Sequence, residues 1–114
     1  MASVIKKTLI SETTLTASKT GDAVSMEPHQ KNFIAFAKIS NRTAGTYDTV
    51  IQHSPNGVDW FDNGTFDSAS GNGSEIIALT NGNLLLPYIR AVVTVTSGPG
   101  DADIEIILYY DREK

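Results

Sequence analysis

The residues of this 114-residue chain best suited to chemistry are two histidines, thirteen carboxylates and one tryptophan, and cysteine is absent. Without cysteine there is no thiolate nucleophile, disulfide or thiolate-bound metal. His53 is followed by Ser54, a pairing that suggests a base beside a nucleophile. Neighbouring residues of a strand point to opposite faces, so the two side chains do not meet as Ser–His catalysis requires. His29 sits apart in Glu27-Pro28-His29-Gln30. Neither a Gly-x-Ser-x-Gly turn nor a His-Glu-x-x-His helix occurs. No catalytic residue is expected, and the chain reads as non-enzymatic with no cofactor and no resident metal.

The carboxylates gather in two turn-rich places, Asp59, Asp62 and Asp67 in one and Asp101 with Asp103 in the other. Calcium needs six to eight oxygens, and neither group has the spacing or terminal glutamate of a twelve-residue calcium loop. Capping of local backbone by these aspartates is the preferred reading. Gly71-Asn72-Gly73 opens no helix after a buried strand, so it does not cradle phosphate.

Trp60, with Tyr47 and Tyr88, offers flat apolar surface with polar tips and could stack on sugar rings. Under that reading the chain is a carbohydrate-binding module or host-glycan adhesin. The preferred reading makes Trp60 a plug at one end of a β-sandwich core, because one indole is a large share of this chain's apolar area.

The net charge is −4, and it is unevenly placed. Residues 1–42 carry six bases and three acids, and residues 43–114 carry three bases and ten acids. A +3 segment therefore precedes a −7 remainder. Nine basic residues at a pI near 4.9 are poorly suited to neutralising phosphates, so no nucleic-acid partner is expected. The basic segment, with Lys6, Lys7 and Lys19 as its partner-binding candidates, suits docking on an acidic neighbour, including another copy of the chain. No membrane partner is expected: Leu84 to Val95 is interrupted by Pro87 and Arg90 and is too short to span. Met1 to Lys7 has no secretory apolar region. Three Asn-x-Ser/Thr triplets, at Asn41, Asn63 and Asn72, are then chance products of composition.

Elements that would position these residues show a period of two. Phe33, Ala35, Ala37 and Ile39 share a face, as do Tyr47, Thr49 and Ile51. Ile89, Ala91, Val93 and Val95 form a third such set, and Ile104, Ile106, Leu108 and Tyr110 a fourth. Asn-Gly pairs at 56–57, 63–64, 72–73 and 81–82 predict type I′ hairpin turns. Ser97-Gly98-Pro99-Gly100-Asp101 predicts a hairpin loop between the last two long strands. Pro87 predicts an edge position or a bulge. Residues 1–20 read best as a short strand followed by a second, with an extended N-terminal arm as the competitor for residues 1–12. The expected fold is all-β: a single antiparallel β-sandwich or jelly roll of about eight strands over residues 1–114.

Val50-Ile51-Gln52-His53-Ser54-Pro55-Asn56-Gly57-Val58-Asp59-Trp60, followed by Leu86-Pro87-Tyr88-Ile89-Arg90-Ala91, resembles small β-sandwich structural proteins of tailed bacteriophage virions. These are head decoration and neck or tail accessory proteins. It is also similar to galactose-binding-like sandwiches. The resemblance covers about residues 46–110. It implies a virion protein assembled in the host cytoplasm, acting as a homo-oligomer, with the major capsid or tail protein as partner. Its implied role is capsid decoration.

Overall fold

Apolar alternation extends through two long runs, and in the computed structural model each run is a single strand. The structure describes residues 3–25, 30–79 and 86–112. Its elements are β1 (Ser3–Leu15), β2 (Lys19–Thr20), β3 (Val24–Ser25), β4 (Gln30–Ser54), β5 (Phe61–Thr65), β6 (Gly73–Ala78) and β7 (Tyr88–Arg112). β4 and β7 pair antiparallel from Gln30↔Arg112 to Ser54↔Tyr88. β1 pairs with the far half of β7, from Ser3↔Arg112 to Leu15↔Ala102, while β2 and β3 pair with its near half. On the other side β6 follows the first half of β4 and β5 its second half.

Four chain segments thus run side by side in the order 3–25, 88–112, 30–54, 61–79. Each folds over at its middle. The result is eight antiparallel strand arms in one curled sheet that doubles over into two layers. The first layer holds β1, the C-terminal half of β7, the N-terminal half of β4, and β6. The second holds β2, β3, the remaining halves of β7 and β4, and β5. The four alternating sets expected from the sequence face inward: apart from the half-buried Val95, every member is buried, in a core shared by both layers. Phe33 and Tyr110 meet there with ring centroids 5.4 Å apart.

The corner overturns the hairpin expected at 97–101. Pairing shifts register between Ser40 and Thr46 of β4, opposite the 96–103 stretch of β7, and both strands continue through it. A strand changes layer by such a bulge or bend, without reversing direction. All the non-glycine residues with positive φ among those described lie here: Thr14 (52°), Asn41 (53°) and Ser97 (64°). Such backbone is costly for a β-branched residue like Thr14, and polar side chains hold it in place. Asp103 accepts hydrogen bonds from the Thr14 amide (2.9 Å) and Asn41 Nδ2 (2.7 Å), and these bonds hold its carboxyl below the usual aspartate pKa. Thr43 Oγ1 donates to Asp101 at 2.8 Å. Gly45 (φ 89°) packs so closely that a side chain there would meet Gly100 Cα at 2.7 Å, a contact only glycine permits.

Other expectations change with the topology. β1 continues through the corner to β2, matching the two-strand reading of residues 1–20, and its Leu9, Ile10 and Leu15 belong to the core. β1 is an edge strand of the sheet. Pro87 precedes β7, which is an interior strand with neighbours on both sides. Gly57 has positive φ (79°) while Asn56 does not, so their turn is not type I′. Asn63-Gly64 lies inside β5, where a Gly64 side chain would meet Ile77 and Leu79 within 3 Å. Asn72-Gly73 leads into β6. Asn81-Gly82 and His29 lie outside the described residues.

Candidate functional site

The two stretches carrying the virion resemblance lie side by side, since Gln52 pairs with Arg90, His53 with Ile89 and Ser54 with Tyr88. Ser54 is fully buried, and its Oγ accepts hydrogen bonds from the amides of Asn56 (3.2 Å) and Gly57 (2.8 Å). Asn56 Oδ1 accepts from the amides of Val58 and Asp59, each at 2.9 Å. The Ser-Pro-Asn-Gly turn is therefore a self-satisfied polar knot that delivers Trp60 to the start of β5. Ser54 anchors this turn and takes no part in a nucleophile–base pair.

His53 Nδ1 accepts the Leu86 amide at 3.2 Å and faces Asn63 Nδ2 at 3.4 Å. The Leu86 amide can only donate, so Nδ1 is the acceptor and the proton of the neutral ring is on Nε2. Burial lowers the His53 pKa below its ordinary value. The imidazole acts as a clasp between β4 and the chain entering β7.

Trp60 is half-buried and not a core plug. The Arg90 guanidinium lies 4.2 Å from its ring centre, a cation–π contact. Arg90 Nε donates to Gln52 Oε1 (2.8 Å), and Gln52 Nε2 donates to Asp62 Oδ1 (3.0 Å). One indole face is thus occupied by a cation held in a polar chain. Tyr47 is 1% exposed, and its hydroxyl donates to the Leu15 carbonyl at 3.0 Å. It is a core residue and offers no stacking surface, which corrects its place in the Trp60–Tyr47–Tyr88 platform. Tyr88 is half-buried. Phe61, exposed beside Trp60, is an aromatic the sequence reading passed over.

The lysines do not share one layer. Lys6 and Lys7 lie on β1 opposite Tyr109 and Leu108, and Lys19 lies on β2 opposite Val93. Lys19 Nζ is 2.6 Å from Glu12 Oε1, which raises the lysine's pKa. The aspartates bond locally: Asp59 to Asn56, Asp62 to Gln52, and Asp101 and Asp103 to the corner. Among the described residues no cluster of three or more His, Asp or Glu is arranged to hold a metal. Between the layers, Ala37, Ile39, Tyr47, Thr49, Phe66 and Ala69 line a cavity of about 270 Å³. At its rim Glu75 accepts the Asp67 amide at 3.1 Å, so that carboxylate serves local structure.

The outer face of the first layer carries apolar side chains beside polar ones. Register places Thr8, Ile107, Phe36 and Ile76 in one row across four strands, and Lys6, Tyr109, Ile34 and Ala78 in the next. Ile76 is 62% exposed and Val4, on the same face, 72%. Phe36, Ile34 and Tyr109 are half-buried. A solvent-facing sheet surface is ordinarily polar, and this one departs from that with half-buried Ile34, Phe36 and Tyr109 around a buried Ile107. The signal was present in the sequence, because Ile34, Phe36, Ile107 and Tyr109 occupy the positions of their strands that alternate with the core.

Comparison with family models, with curated proteins and with solved structures returns no match to this chain.

Proposed function

We propose that this chain is a non-enzymatic structural protein of a tailed-bacteriophage particle, a capsid decoration or auxiliary protein that binds the major capsid lattice. Under this reading it assembles in the host cytoplasm and works by shape and association. The observation that carries association is the apolar outer face of the first layer, with Phe36, Ile34, Tyr109 and Ile76 at its centre. The particle type rests on the resemblance in Val50–Trp60 and Leu86–Ala91, runs that lie paired in the second layer.

The test adds purified chain to particles produced without it and separates bound from free by sedimentation. Saturable binding at a fixed number of copies per particle is expected. A chain that stays in the supernatant at every concentration overturns the reading.

A further inference from the structure

We infer that the outer face of the first layer is the contact between two copies of this chain, packed sheet to sheet about a two-fold axis parallel to the strands. This rests on the association reading and names the partner of that surface.

The argument is one of charge and register. Next to the Thr8–Ile107–Phe36–Ile76 row, Lys38 of β4 stands opposite Glu105 of β7. They are cross-strand neighbours, yet they form no ion pair with each other. Lys38 is exposed and Glu105 half-buried. Both flank an apolar centre, so a partner able to satisfy them needs an acid and a base at matching spacing beside an apolar patch of its own. A second copy has these by construction, since a two-fold contact sets one patch against itself.

Orientation follows from the same rows. An axis along the strands, between β4 and β7, sets β4 of each copy over β7 of the other. Ile34 then meets Tyr109 of the second copy and Lys38 meets its Glu105, each contact made twice, while Phe36 lies over the row of Ile107, itself only 2% exposed. An axis across the strands at the Phe36–Ile107 row would instead set Glu105 near Tyr109 and Lys38 near Ile34 of the second copy, so neither charge would meet an opposite one. Packed sheets cross at about 30°. Lys38 and Glu105 lie two residues, or about 7 Å, from the patch centre. The crossing displaces them by only about 3–4 Å, within reach of two flexible side chains.

The test is sedimentation velocity on the purified full chain, without particles. The wild type is expected to sediment as a dimer at tens of micromolar. Lys38→Glu alone and Glu105→Lys alone each create two like-charge contacts, and each is expected to weaken the dimer by about tenfold or more. Mixing the two single variants restores both opposite-charge contacts across the interface, so the mixture should dimerise where each alone does not. Charge effects confined within one chain cannot produce that recovery. A monomeric wild type at 100 μM overturns the inference, as do single variants that dimerise like the wild type or a mixture that stays monomeric. Because no particle is present, failure here leaves the particle reading standing. Failure of particle binding likewise leaves the dimer standing.

Discussion

At the residue scale, side chains that suggest chemistry serve the fold. Tyr47 donates its buried hydroxyl to the Leu15 carbonyl, linking β4 to β1 at the corner, and burial raises its phenol pKa. Tyr47→Phe leaves that carbonyl without its partner and is expected to cost about 1–3 kcal/mol in urea unfolding. His53 supplies a pH dependence of definite sign. Its pKa in the folded chain is depressed by burial below the ordinary 6.5, so below about that pH the unfolded chain binds the proton more readily. Its contribution to stability is therefore full above pH 6.5 and declines as pH falls from there toward the depressed value. Unfolding measured between pH 8 and 5 should show this loss in the wild type. The slope should be smaller in His53→Gln, which also removes the effect of His29 from the comparison. Part of this was legible in advance: the sequence shows that His53 and Ser54 cannot form a pair, and Ser54 finds its partners in the adjacent Asn56-Gly57 turn, but Leu86 reaches His53 only through the pairing of β4 with β7.

At the element scale, the strands were legible and their connection was not. Alternation at 33–39, 47–51, 89–95 and 104–110 marks the inward faces because each of these runs has one buried side. The Ser97–Asp101 break looked like a hairpin because glycine and proline serve a reversal and a corner equally well. Pairing with β4, distant in sequence, decides between them. Asn63-Gly64 misled for a similar reason, since Gly64 is needed for the approach of Ile77 and Leu79 to β5 and not for a turn. The N-terminal segment belongs to the sandwich. Removing residues 1–12 takes Leu9 and Ile10 from the core, each worth about 2–5 kcal/mol when lost, and uncovers an edge of β7. A chain so shortened is expected to lose cooperative thermal unfolding by circular dichroism, whereas a free arm would have left the transition unchanged.

At the scale of the whole molecule, charge and topology combine. The basic segment of the sequence includes β1, β2 and the first half of β4, and it folds against the acidic β7. That pairing places Lys38 of the basic segment beside Glu105 of the acidic remainder, whereas the Lys19–Glu12 ion pair lies within the basic segment itself. What remains unmatched by folding is the apolar face of the first layer, and a partner is proposed for it. Alternation in the sequence marks Ile34, Phe36, Ile107 and Tyr109 as outward positions, but only the alignment of the four segments makes them neighbours. The most direct test of a virion role is quantitative mass spectrometry of gradient-purified particles from the cells that make this chain. A fixed, repeated copy number relative to the major capsid protein is expected. Recovery of the chain only in the particle-free fraction would contradict the role.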